Sequence, residues 1–192
     1  PFMHGPFLFY TTAFSFALFG DSIISSRVMP LLFGCGTILL LYPLRRYCGD
    51  SGLLWASALF AISPFFVTNS SQLNMNVFLL FFTLAIFFCI FLFLKERRRR
   101  YAFFLIATAF SLTVKEQTYI SLFIFLSFFF LLWLSKKNKV RTAKEIAKEL
   151  LHPSIGMGVV ISLLIYFLFF TSFLRYPEGF TATFSSVPYW LG

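Results

Sequence analysis

Acidic residues are scarce in this chain: seven Asp and Glu stand among 192 residues, against 16 Lys and Arg. Charged side chains of either sign reach only 12%, where soluble domains average about 25%. With hydrophobic residues at 59%, too little polar surface remains to wrap a water-facing exterior, so a soluble globular domain is excluded and lipid becomes the solvent. Cysteine is sparse too. Cys35, Cys48 and Cys89 lie within or at the end of apolar runs and show no CxxC spacing, which argues against a zinc site or a disulfide framework and leaves them as small packing residues. The net charge of +9 implies no nucleic acid, because the cations gather in short loops between apolar runs, where they set membrane topology.

What remains is a series of apolar segments. Residues 23–42, 53–67, 77–94, 101–114, 120–134 and 155–174 are runs of bilayer or near-bilayer length. The expected fold is all-α, a polytopic transmembrane helix bundle of about six spans forming one domain over residues 1–192. Alternate connections then divide by charge. One set holds Arg45 and Arg46, the run from Lys95 to Arg100, and the lysines from Lys136 to Lys148; the other holds residues 69–76, the pair Lys115 and Glu116, and the tail after Arg175. Cations concentrate in the first set, which is cytoplasmic by the positive-inside rule. A miscounted span would have mixed the two sets. The chain opens on Pro1 without a methionine and closes on Gly192 with no polar tail, and it reads as an internal piece of a longer protein.

The stretch "TVKEQTYI" sets two charges between apolar runs. Runs 101–114 and 120–134 rise about 21 and 22 Å at ~1.5 Å per residue, short of a hydrocarbon core of roughly 30 Å. The turn that joins them, with Lys115 and Glu116, is expected in a recess below the external surface; the alternative is a hairpin cap at the interface with Lys115 snorkelling outward. Ionisable groups at such depth cost about 2.5–3.5 kcal/mol each and mark functional cavities. Other polar residues share this side. Residues 7–19 are apolar, too short to cross, and ended by Gly20-Asp21, which reads as a helix lying in the external interface. His4-Gly5-Pro6 leads into it, and the Gly-Pro step marks a tight approach of the backbone. Arg27, near the start of the next span, reads either as an interface anchor or as an anion ligand. Together His4, Arg27, Lys115 and Glu116 make the combination expected of a site that grips a phosphate at the membrane surface.

The stretches "HGPFLFYTTAFSFALFGDSIISSRVMPLLFG", "LLWASALFAISPFFVTNSSQLNMNVFLLFFTLAI" and "TVKEQTYI", in that order and spacing, resemble the polyprenol-phosphate-sugar-dependent membrane glycosyltransferases of the GT-C superfamily. The likeness is to the branch of protein O-mannosyltransferases, lipid A aminoarabinose transferases and flippase-associated prokaryotic proteins. It implies a multi-pass enzyme of the cytoplasmic (inner) membrane that moves a sugar from a polyprenyl-phosphate-linked donor to an acceptor at the external, periplasmic face, with inversion. His4-Gly5-Pro6 looks like the family element that lines the donor pocket. Arg27 is similar to the arginine that opens the second span, and Lys115-Glu116 resembles the Lys-Glu element at the external end of a later helix. Asn74 and Asn76 stand where many relatives carry an Arg and an acidic residue. In such enzymes the acidic residue taken as the catalytic base lies in the first external loop, which would precede Pro1. The catalytic residue is therefore unknown here, and the piece alone is expected to be inactive. No metal ligand is assigned and no cofactor is implied with certainty; a divalent metal, the donated sugar and the acceptor class are left open.

Residues 141–152 place Ala143, Ile146, Ala147, Leu150 and Leu151 on one helical face with Lys and Glu opposite, which describes an amphipathic helix on the cytoplasmic surface. The run from Lys95 to Arg100 reads as a topology determinant that meets anionic lipid heads, and Tyr189-Trp190 as an interface anchor. A second class of function is a secondary transporter or lipid flippase, and a third an accessory membrane subunit. Intramembrane Lys and Glu suit a transporter. Paired internal repeats with helices broken near the midplane would accompany one, but no such repeat is seen and the polar residues gather at one face.

Overall fold

The computed structural model describes residues 5–96, 103–115, 117–135 and 153–176. Among these every regular element is a helix and no strand occurs. The helices are α1 (Phe7–Phe19), α2 (Ile23–Leu39), α3 (Arg45–Ile62), α4 (Pro64–Ser71), α5 (Met75–Glu96), α6 (Phe103–Val114), α7 (Gln117–Leu134) and α8 (Pro153–Phe170), with a 3-10 turn at Tyr42–Leu44. The chain divides into two compact units, one of residues 6–85 and one that joins residues 1–5 to 86–192. The expected cytoplasmic amphipathic helix at 141–152, the basic run at 97–100 and the tail from 177 lie outside the described residues.

In the first unit, α1 stops where Gly20 takes φ +79°, a conformation that glycine adopts without steric cost. Ser22 then caps α2, its hydroxyl oxygen accepting from the Ser25 N–H at 3.0 Å. The buried Ser15 hydroxyl donates to the Ser25 carbonyl at 2.5 Å, and Phe7 meets Phe33 with ring centroids 5.8 Å apart. These two contacts lay α1 antiparallel along α2. Phe9, Phe14, Leu18 and Phe19 of α1 are all exposed apolar side chains, so the helix is apolar all round. Phe7 also packs edge-on against Phe78 at 5.4 Å and Phe82 at 5.3 Å, and this aromatic cluster forms the centre of the unit.

Among the described residues, two helical stretches are long and apolar enough to cross a membrane, Ile23–Ile62 and Met75–Leu92; the shorter apolar helices there are Phe7–Phe19, Leu105–Val114, Gln117–Phe128 and Ile155–Phe170. The first stretch is not one rod. It bends at Tyr42–Leu44 and again at Gly49, whose φ is +71°, and α4 folds back on α2 where Gly34 abuts Ser70. A Cβ added at Gly34 would stand 2.6 Å from the Ser70 Cβ, closer than two carbons can approach. The expected span over 53–67 also breaks, at Ser63, which is extended with φ −66° and ψ 117°. Pro64 causes this, because its ring disfavours helical backbone in the residue before it while suiting the first position of a new helix.

Gly34→Ala is accordingly expected to lower stability by about 1–3 kcal/mol, the usual cost of overpacking. The clashing atom is the Ser70 Cβ itself, so Ser70→Gly in the same chain should restore much of the loss. Thermal unfolding of the two variants in detergent checks this; a Gly34→Ala protein that unfolds at the wild-type temperature would refute the close contact.

In the second unit, α8 packs on α6, with Phe110 and Phe169 perpendicular at 5.8 Å. The last run was expected to continue to residue 174, but α8 ends at Phe170. Beyond it Ser172, Phe173 and Leu174 take φ of 50°, 55° and 69°, a left-handed turn that costs about 1–2 kcal/mol per residue for side chains with a Cβ. Thr171 closes the turn. Its carbonyl accepts from the Tyr176 N–H at 2.9 Å and its hydroxyl oxygen from the Leu174 N–H at 3.2 Å.

Candidate functional site

The junction of α6 and α7 lies in the second unit, and its geometry is built by small hydroxyl side chains. Ser111, Thr113 and Thr118 are each fully buried at 0% exposure, where an unpaired hydroxyl would be costly. Each is paired. Thr113 donates to the Phe110 carbonyl at 2.7 Å. Thr118 donates to the Ser111 carbonyl at 2.8 Å, and the Ser111 and Thr118 hydroxyls meet at 2.8 Å. These bonds clamp the first turn of α7 to the last turn of α6, across the interval that contains Lys115 and Glu116.

Lys115 follows the last residue of α6. Its N–H donates to the Ser111 carbonyl at 3.4 Å and its carbonyl accepts from the Thr118 N–H at 3.1 Å, so the backbone is held from both sides while the residue stays half-buried. The helix end then gains a visitor from the start of the chain. The Gly5 N–H donates to the Val114 carbonyl at 3.2 Å, one of the carbonyls that a helix C-terminus leaves without an internal partner. A Cβ built on Gly5 would lie 1.9 Å from the Thr113 carbonyl oxygen. Only glycine fits against that backbone.

The structure thus joins the neighbour of His4 to the neighbours of Lys115, the two segments that the sequence places more than a hundred residues apart. His4 and Glu116 themselves lie outside the described residues. Arg27 is exposed on the first turns of α2 in the other unit and takes part in no salt bridge among the described residues. Sequence reasoning singled out Gly5 for a tight approach but overlooked Ser111 and Thr118. The available signal was two hydroxyl residues seven apart, flanking the charged pair within otherwise apolar runs.

Replacing Thr118 with Val removes both hydroxyl bonds at nearly constant shape and strands the buried Ser111 hydroxyl, a loss of about 1–3 kcal/mol. Thr118→Ser keeps the oxygen and should stay near wild type. Comparing the unfolding midpoints of the two variants in detergent checks the clamp; equal midpoints would refute it.

In the first unit, the loop between α4 and α5 is closed by amides. The Asn69 side-chain Oδ1 accepts from the side chains of Asn74 at 2.8 Å and Asn76 at 3.2 Å, while its Nδ2 donates to the Phe65 carbonyl at 2.8 Å. The Asn74 side chain caps α5 by accepting from the Asn76 N–H at 3.0 Å. Asn74 and Asn76 are thus spent on holding a neutral turn. Among the described residues, no three His, Cys, Asp or Glu side chains gather as metal ligands.

No curated protein and no solved structure matches the chain. A family model does, over residues 3–151, a range that contains His4, Arg27, Lys115 and Glu116 and most of the 192 residues. Dominantly apolar helices, a glycine-docked turn carrying a lysine and this match agree, and the chain belongs to the dolichyl-phosphate-mannose-protein mannosyltransferase family, membrane glycosyltransferases of the GT-C type.

Proposed function

We propose that the full-length protein takes a sugar from a polyprenyl-phosphate-linked donor and passes it, with inversion, to an acceptor at the external face of the inner membrane. Residues 1–192 then contribute about six spans of one multi-pass GT-C-like domain. The family match over residues 3–151 carries this reading. The bond from Gly5 to Val114 supports the site, because it holds the residue after His4 in sequence against the helix end that precedes Lys115.

In this mechanism negative charge grows on the donor phosphate as the glycosidic bond breaks, and fixed cations aimed at that phosphate lower the barrier. Lys115 and Arg27 are the candidates for this role, with His4 as a candidate hydrogen-bond donor. Glu116 holds Lys115 in place or contacts the acceptor. A carboxylate in an external loop upstream of Pro1 takes the proton from the acceptor hydroxyl. The oxygen attacks the anomeric carbon from the face opposite polyprenyl phosphate, which leaves with the bonding electrons.

The test uses the full-length protein in proteoliposomes, offered polyprenyl-phosphate mannose or a nucleotide-linked mannose. Label is expected to move only from the lipid-linked donor, and the product should have the opposite anomeric configuration. Transfer from the nucleotide sugar, or retention of configuration, would overturn the proposal. Reading the upstream loop is a second check: an Asp after one preceding span is expected, and a loop without an acid removes the chemistry.

A further inference from the structure

A groove of about 580 Å³ opens in the first unit where α2 bends into α3. Its polarity changes along its length. Tyr42, Arg45 and Asp50 stand at one end, and Leu53, Ser57, Ala58 and Ala61 continue along one side of α3. The polar end is built, not incidental. Arg45 engages Asp50 through both Nε and Nη2, the latter at 3.1 Å from Oδ2, and its Nη1 reaches the Tyr42 hydroxyl at 3.5 Å. Residues five apart do not face each other on a regular helix. The positive φ of Gly49, +71°, swings Asp50 back toward Arg45.

We infer that this groove holds one acyl chain of a zwitterionic aminophospholipid, whose phosphate meets Arg45 and whose ammonium meets Asp50. Three observations select that occupant. The first is charge: a cation and an anion sit side by side at the mouth, with side chains 51% and 74% exposed, so a headgroup that bears both signs matches them better than an anionic one. Arg45 has donors to spare, since a guanidinium carries five N–H groups, and each carboxylate oxygen of Asp50 can accept again. The second is length. From Asp50 to Ala61 α3 rises about 16 Å at ~1.5 Å per residue, close to the depth of one leaflet, half of a hydrocarbon core of roughly 30 Å. The third is shape: Ser57, Ala58 and Ala61 are small and keep the far half of the groove open, whereas larger side chains there would fill it. The inference needs the membrane setting of the family but neither the donor site nor its chemistry.

The experiment is native mass spectrometry of the full-length protein released from nanodiscs containing equal amounts of phosphatidylethanolamine and phosphatidylglycerol. The wild-type protein is expected to retain phosphatidylethanolamine severalfold over phosphatidylglycerol. Asp50→Asn removes the partner of the ammonium and leaves Arg45, so the preference should reverse. Ala58→Phe occupies the groove and should reduce retention of both lipids. Equal retention of the two lipids by the wild-type protein, or an unchanged preference in Asp50→Asn, would overturn the inference and leave the groove as ordinary lipid-facing surface. Should Ala58→Phe fail to fold, the exposed Asp50→Asn substitution decides alone.

Discussion

Gly5→Ala is expected to cost the full-length protein about a hundredfold in sugar transfer, the penalty typical of a reacting group displaced by about 1 Å. The argument rests on rigid atoms. The new methyl group would lie 1.9 Å from the Thr113 carbonyl oxygen and 2.5 Å from its carbon, both backbone atoms of a buried helix end, so no rotamer change can relieve the overlap. The segment before Pro6 must retreat, and the bond from the Gly5 N–H to Val114 goes with it. Lys115 then loses a neighbour that braces its turn. If the segment positions the reacting phosphate as proposed, the loss should appear in kcat at saturating donor. Thermal unfolding measured alongside separates this from global destabilisation. An alanine variant with wild-type turnover would show that the His-Gly-Pro segment does not need its observed seat.

The second large effect is expected at Lys115. Lys115→Met keeps the length and packing of the aliphatic stem and removes the charge. If the ammonium counters charge that develops on the leaving phosphate, turnover should fall about 10²–10³-fold, the range observed when one preorganised donor is deleted from such a site. Donor affinity should change much less, since the ground-state phosphate carries less charge than the departing one. Lys115→Arg restores a cation with different reach and should recover part of the rate. Measured kcat and KM for both variants decide the matter. Intact turnover in Lys115→Met would remove Lys115 from the mechanism, and an equal loss in both variants would point to geometry over charge.

Much of the secondary structure was legible along the chain. The boundaries of α2, α5 and α7 fall within a few residues of the expected apolar runs, and Ser22 and Gly20 are local start and stop signals that act through their own backbone. Pro64 was equally visible, yet the run across it was read as unbroken because hydropathy does not register a backbone constraint. The turn at Ser172–Leu174 gave no comparable signal, since none of its three residues is the glycine that such dihedrals favour. Within the site, Lys115 stood out because a charge in an apolar run is rare. Ser111 and Thr118 did not, since buried hydroxyls in such helices are common and only their mutual distance makes them a clamp.

Composition alone required that these helices live in lipid, because a chain this poor in charge has to satisfy its backbone internally and cannot cover itself with polar groups. Charge distribution along the loops carried the expected topology, and the residue types of the motifs carried the family. Which faces meet could not be read in the same way. Helices that are apolar all round hold no hydrophobic stripe to mark their inner side, so their rotation is decided where small residues let two backbones approach. Gly34 against Ser70 and Gly5 against Thr113 and Val114 are such places, each joining segments distant along the chain. It is the second of these contacts that brings Gly5 to the helix end beside Lys115.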